Sequence, residues 1–114
     1  MSFFIPDRGD VVYLDFNPQA GHEQSGRRPA LVLSPKAFNE RTGLAILCPI
    51  TTTFRGHNFE VYVPDGCNVK GAILVHHVKS LDIAARRCEF GCKLPGEVVE
   101  EALEKLSALL FQTC

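Results

Sequence analysis

Turn signals cut this chain into short apolar runs, and that spacing limits the folds open to it. Gly9-Asp10, Gly21, Gly26, Ser34-Pro35, Gly43 and Pro64-Asp65-Gly66 interrupt it before most helices could complete three turns. Between them lie runs of strand character: Asp10–Phe16, Pro29–Leu33, Ala45–Thr51 and Asn58–Val63, then Gly71–Val78 and a last short one at Arg87–Phe90. Pro29–Leu33 is continuously apolar and reads as buried on both faces. In Asn58–Val63 the apolar Phe59, Val61 and Val63 alternate with polar positions, so those three are predicted to face inward. Ser34-Pro35 reads as an N-cap with proline at the first helical position, opening a short helix over Lys36–Arg41 that stops near Gly43. Ser80-Leu81-Asp82 reads as the cap of one further helical turn through Ala85.

The C-terminal segment 97–111 is the one long helix. Val98, Ala102, Leu103, Leu106, Leu109 and Leu110 recur at helical spacing, and Glu97, Glu100 and Glu101 sit in its early turns, where the helix dipole favours acids. The predicted fold is β-rich α+β: a small, strongly bent sheet or barrel with short helices and a C-terminal helix, in one domain over 1–114.

Composition removes several classes of function. No apolar run approaches the roughly 20 residues of a membrane span. The N-terminus lacks a basic stretch followed by an apolar one, so no secretory signal is read and the expected location is cytoplasmic. The net charge of −1 gives no bulk attraction to nucleic acid, so any such site must be a local patch. The five cysteines are odd in number and are expected as thiols. Cys88 and Cys92 are spaced C-x3-C downstream of His76 and His77, but no second paired spacing completes a zinc site, and neither metal nor cofactor is expected. Cys48, within Ala-Ile-Leu-Cys-Pro-Ile, reads as a small buried hydrophobe.

The chemistry concentrates in residues 21–34, Gly-His-Glu-Gln-Ser-Gly-Arg-Arg-Pro-Ala-Leu-Val-Leu-Ser. His22, Glu23, Gln24, Arg27 and Arg28 crowd ahead of a Pro-led strand, with Gly21 and Gly26 free to bend the segment. Arg28 sits at the mouth of that strand, where a guanidinium on a fixed base can grip a phosphate bidentately. Two readings are open on residue type alone: a site for phosphoryl transfer on RNA, or a solvated polar loop.

The longer pattern resembles the MazF/PemK family of toxin–antitoxin ribonucleases. The resemblance rests on Pro6-Asp7-x-Gly9-Asp10, Asp15-Phe16-Asn17-Pro18, Gly21-His22-Glu23-Gln24-x-Gly26-x-Arg28-Pro29-Ala30-Leu31-Val32-Leu33-Ser34-Pro35, Asn39 and Cys48-Pro49-Ile50-Thr51-Thr52. Phe59-Glu60-Val61, Val78-Lys79-Ser80 and Ala85-Arg86 also fit. It implies an SH3-like barrel, a homodimer, metal-independent and sequence-specific cleavage of single-stranded RNA at short motifs, and a labile MazE-like antitoxin lying over the RNA groove. RNA carries its own nucleophile, the 2′-oxygen. The protein has to supply a base, an acid and cationic donors for the developing phosphorane charge.

Glu23 suits the base, Arg28 the charge, and Thr51 a hydroxyl contact to a phosphate oxygen. His22 lies inside the motif, either in proton transfer or orienting Glu23. Gln24, Arg27, Asn39, Thr52, His77 and Lys79 are the implied RNA contacts. One departure stands out: many relatives carry Asp-Gln where this chain has His76-His77. His76 can serve as acid or base. Equally, a strand at 71–78 would put the two histidines on opposite faces, one packed and one solvated. Two other functions fit a barrel of this size: a noncatalytic gyrase poison of the CcdB type, whose motif is absent, and an SH3-like adaptor, disfavoured because there is no Trp and only Tyr13 and Tyr62.

Overall fold

A computed structural model describes residues 4–16 and 26–111. Among them are seven strands and two helices: β1 Asp10–Asp15, β2 Arg27–Val32, α1 Lys36–Thr42, β3 Leu44–Thr51, β4 Glu60–Tyr62, β5 Ala72–Leu74, β6 Lys79–Asp82, β7 Glu89–Lys93 and α2 Gly96–Leu110. All pairings are antiparallel. The sheet runs β4-β5-β3-β2-β1-β7, with β6 also on β3. This is the bent, β-rich architecture that the turn spacing predicts.

The central strands β1, β2 and β3 feed two cores by simple alternation. Val11, Leu31, Cys48 and Ile50 point to one side, where β4, β5 and the Val98, Val99 and Ala102 face of α2 close over them. Val12, Leu14, Ala30, Val32 and Leu47 point to the other, against Phe16, Ala45 and Ile83. A strand buried on both sides has no polar face to show, which explains the unbroken apolar run Ala30-Leu31-Val32. Each large apolar side chain so enclosed contributes about 1.5–3 kcal/mol of burial energy.

Strand β3 changes partners midway. Its first half pairs with β6 (Leu47 opposite Lys79) and its last two residues with β5 (Ile50 opposite Ile73, Thr51 opposite Ala72). Three steps of β3 separate Leu47 from Ile50, but six steps of chain separate Ile73 from Lys79. The surplus coils into a 3₁₀ turn at Val75–His77. Pro49, which has no N–H for the ladder, sits at the changeover. The strand predicted over Gly71–Val78 therefore ends at Leu74, and His76 and His77 are not on opposite faces of anything. Their rings meet edge to face, 4.5 Å between centroids.

Three other expectations need correction. Ser80-Leu81-Asp82 is strand β6 rather than a helix cap, although Asp82 Oδ1 does accept from the Ala85 N–H at 2.8 Å in the turn that follows. The last strand runs Glu89–Lys93, displaced from Arg87–Phe90. Ser34 does not cap α1. Its hydroxyl bonds Asn39 Oδ1 and accepts from Ile46 N–H, while Asp7 Oδ1, from the N-terminal segment, caps Lys36 N–H at 2.9 Å. That bond and one from Arg8 N–H hold the Asp7 carboxyl below its ordinary pKa. The predicted stop is in place: Gly43 takes the left-handed conformation at φ 75°.

The four described cysteines divide between the two cores. A bulge in the β1–β7 ladder sets Val11 opposite Cys92 and Val12 opposite Phe90, with Gly91 as the extra residue. Cys92 thereby turns toward the α2 side and joins Cys67 in a disulfide, with Cα atoms 6.0 Å apart. Cys88 packs against the opposite core. The expectation of thiols throughout is thus overturned for this pair, and C-x3-C was not a shared site because the bulge divides the two residues. Cys48 is the buried hydrophobe expected, and burial pushes its thiol up to about 12.

Candidate active site

The β2–β3 register brings the chemistry together. Its last pair is Ala30 opposite Pro49. The ladder ends there, with Arg28 two residues before Ala30 on β2 and Thr51 two residues after Pro49 on β3. Arg28 is half-buried and belongs to β2 itself, one step inside the strand rather than in the loop before it. Its Cα is fixed by the pair with Leu14, so the guanidinium swings from a rigid base.

Thr51 ends β3, half-buried, with its hydroxyl accepting the Thr53 N–H at 3.2 Å. Gly71 lies hard against it: a Cβ there would stand 1.8 Å from the Thr51 carbonyl oxygen. Only glycine allows this approach, and its φ of +126° adds a second reason.

Beside Thr51 opens a cavity of about 340 Å³. It is lined by His76 and His77 from the 3₁₀ turn and by Arg55 and His57 from the 53–57 loop. Glu60 and Leu74 line it as well. The exposed His76 ring also leans on Phe59, 5.7 Å between centroids. Thr51, His76 and His77, three residues picked from the sequence, thus converge on one cavity.

The loop wall is held by a carboxylate that the alternation pattern misplaced. Glu60 is 4% exposed, while Phe59, expected inside, is 38% exposed. Glu60 Oε1 accepts the backbone N–H of Arg55 at 3.0 Å and of His57 at 3.2 Å. Burial pushes the Glu60 carboxyl up, but backbone donors at Arg55, His57 and Gly56, with the charge of His57, outweigh it and leave the pKa below the ordinary value. A depressed carboxyl stabilises its loop fully above the usual glutamate range, about pH 4.3, and loses that contribution as pH falls through the lower folded value. Hydrogen exchange at the Arg55 and His57 amides should stay slow from neutrality down to that range and quicken below it. Glu60→Gln should quicken it at every pH, at a cost of about 1–3 kcal/mol. Protection unchanged in Glu60→Gln would refute this role.

Other expected RNA contacts lie elsewhere. Asn39 is fully enclosed. Its amide donates to the carbonyls of Pro6 at 2.8 Å and Ser34 at 3.1 Å, so it ties the N-terminal segment to α1 and cannot meet RNA. Arg27, on the face opposite Arg28, is bound to Asp15 and Glu89 and to the Arg87 carbonyl. Arg87 also grips Asp15 at 2.8 and 3.2 Å; these two arginines, Arg87 first, hold the Asp15 carboxyl below its usual pKa. With the Phe16 N–H bond to the Gly26 carbonyl at 2.8 Å, this network fastens the stem of the segment between them. Arg27 thus serves the stem and not the cavity. Lys79 lies over the Phe16 ring, 5.6 Å from its centroid. Thr52 is exposed beside Thr51. His22, Glu23 and Gln24 lie outside the described residues.

Sequence reasoning missed Arg55, His57 and Glu60. Arg55-Gly56-His57 read only as a turn. The available signal was an acid a few residues beyond a run of loop amides, a common way to satisfy several N–H groups at once.

The fold and site define a class: a small antiparallel sheet with an arginine near the start of one central strand and, at the end of the neighbouring strand, a threonine that lines a polar cavity. Comparison with known proteins makes it specific. Residues 7–110 match the family model for PemK-like, MazF-like toxins of type II toxin–antitoxin systems, and the chain belongs to that family. It is 41% identical over 108 residues to the endoribonuclease toxin MazF of Escherichia coli K12, covering 95% of this chain and 93% of the relative. It is 44% identical over 112 residues to the endoribonuclease toxin ChpB of the same strain, covering 91% and 93%. Among solved structures, MazF from Deinococcus radiodurans superposes with a TM-score of 0.91 at 49% identity, covering 95% of this chain and 98% of that one. A MazE–MazF structure from the same organism gives 0.87 at 48%, covering 97% and 100%.

Proposed function

We propose that this chain is the endoribonuclease toxin of a toxin–antitoxin pair, cutting single-stranded RNA, mRNA above all, in the cytoplasm, from one domain over 1–114. The observation that carries the reading is the cavity that Thr51, His76 and His77 line together, at the end of the strand that pairs with the one carrying Arg28. A phosphate held between those strands meets a fixed guanidinium and a hydroxyl, the donors that a phosphorane-like charge requires. The 2′-oxygen attacks the adjacent phosphorus and the 5′-oxygen leaves, giving a 2′,3′-cyclic phosphate and a 5′-OH end.

Glu23 takes the 2′-OH proton, with His22 beside it in the chain. His76, exposed and lining the cavity, returns a proton to the leaving oxygen. Gln24, Thr52 and His77 contact the flanking RNA. A homodimer would double the groove, and a MazE-like antitoxin would cover it. A noncatalytic gyrase poison on the same fold has no use for an arginine–threonine pair. Arg28 acts here as a cationic hydrogen-bond donor and not as a proton carrier.

The test is cleavage of a long defined RNA in excess EDTA, with the ends mapped. Cleavage should persist and leave 5′-OH ends. Activity lost in the chelator and restored by zinc or magnesium would overturn the mechanism. His76→Ala should lower the cleavage rate, and an unchanged rate would make that histidine structural.

A further inference from the structure

The strand path β4-β5-β3-β2-β1-β7 has two ends, and no ladder among the described residues joins them. The disulfide between Cys67 and Cys92 joins them covalently. Cys92 lies in β7, at one end of the path, and Cys67 in the loop between β4 and β5, at the other. Across the neck of that loop the Val63 N–H donates to the Gly71 carbonyl at 3.0 Å, and of residues 64–70 only Val69 is buried. The loop ends at Gly71, the glycine that lies hard against the Thr51 carbonyl. The bridge therefore anchors a loop that leads into the candidate site. Both cysteines stay within reach of solvent: Cys67 and Cys92 are half-buried, whereas Cys48 is sealed. A recess of about 120 Å³, lined by residues 64–67 and 93–95, opens at Cys67. Their Cα separation of 6.0 Å needs no backbone movement for the bridge to close.

We infer that Cys67 and Cys92 form a reversible thiol–disulfide switch that exchanges with a low-molecular-weight thiol of the glutathione type. Oxidation staples the two ends of the sheet together, and reduction frees the 64–70 loop. In the reducing direction a glutathione thiolate attacks the Cys67 sulfur, where the recess gives access. The Cys67–Cys92 bond breaks, and Cys92 leaves as a thiolate that takes up a proton. A second glutathione thiolate attacks the glutathione sulfur of the mixed disulfide, and Cys67 leaves in the same way. Two glutathione thiols have become one disulfide, and two electrons and two protons have passed to the cysteines. Oxidised glutathione runs the same steps backward. In the cytoplasm proposed for this chain, a disulfide that glutathione can reach is a transient, sensing one and not a permanent brace. The inference stands apart from the ribonuclease reading, because it concerns the closure of the sheet and not the chemistry on RNA.

The experiment equilibrates the native full chain in millimolar glutathione buffers, from reduced to oxidised. Thiol counts and peptide mapping without reductant then follow the pair, and thermal unfolding follows the fold. The bridge should open in reduced glutathione and close in oxidised glutathione. Its partners lie 25 residues apart in sequence, so closure should raise the unfolding midpoint by about 10–20 °C. The Val63 amide, at the neck of the loop, should exchange roughly tenfold faster in the reduced protein. Cys67→Ser and Cys92→Ser should melt like the reduced wild type in either buffer. Cys88→Ser, on the opposite core, should keep the full dependence on redox state. The wild-type comparison between buffers does not depend on any variant folding. A bridge that stays closed in reduced glutathione, a pair that stays open in oxidised glutathione, or one midpoint in both buffers would overturn the switch. None of these readouts uses RNA, so the switch and the ribonuclease reading fail separately.

Discussion

Arg28→Ala should lower kcat/KM for RNA cleavage by about 10²–10³-fold, the usual cost of losing one donor aimed at transition-state charge. The fold should survive. Arg28 enters the β1–β2 ladder through its backbone opposite Leu14, and its half-buried side chain belongs to neither core. Arg28→Lys should recover only part of the rate, because an ammonium keeps the charge but loses the planar fork that holds two phosphate oxygens. Thr51→Ala is the matching variant from the facing strand. Since both side chains are read as serving one phosphate, the double variant should lose less than the product of the two single losses. Thermal unfolding beside the kinetics separates chemistry from folding. A normal rate in Arg28→Ala would remove the arginine from the mechanism, and a collapsed fold would make its role structural.

What the sequence revealed of this site depended on how local each signal was. The stop at Gly43, the helical spacing of α2 and the strand character of β1 and β3 are written within one element, and their bounds fall within a residue or two of expectation. The 3₁₀ turn is not local. It exists because β3 exchanges β6 for β5 at Pro49 and the partner chain has residues to spare, a mismatch visible only once three strands are paired. For the same reason β6 was hidden: Ser80-Leu81-Asp82 carries genuine capping chemistry, yet the free edge of β3 takes it as a strand. Glu60 shows the limit of period-2 reasoning. An acid beside Val61 reads as the outward partner of an inward valine, but the loop amides of Arg55 and His57 need an acceptor and draw it in. Arg28 and Thr51 could be picked as a pair because of the family pattern. That their strands are neighbours follows only from the pairing of Ala30 with Pro49.

Gly71→Ala should be the most damaging single methyl in the molecule. Two costs combine there. The residue holds φ +126°, a conformation open to glycine but strained for any side chain, and the new Cβ would stand 1.8 Å from the Thr51 carbonyl oxygen and 2.8 Å from its carbon. Both obstacles are backbone, so no rotamer change relieves them. Strand β3 has to move away from β5, and the residue that moves first is Thr51, paired with Ala72 immediately beyond the glycine. The expected loss is on the order of 3–5 kcal/mol, from strain and overpacking together. In the molecules that still fold, a shift of about 1 Å at Thr51 is enough to cost roughly 10²-fold in rate. Gly66→Ala is the control: Gly66 has a similar φ of +112°, but a Cβ there meets nothing within 4 Å, so the variant pays the backbone strain alone. Gly66→Ala should therefore be distinctly more stable than Gly71→Ala and keep the wild-type cleavage rate. Equal stability and equal activity in the two variants would show that the close approach of Gly71 to Thr51 does not hold the site.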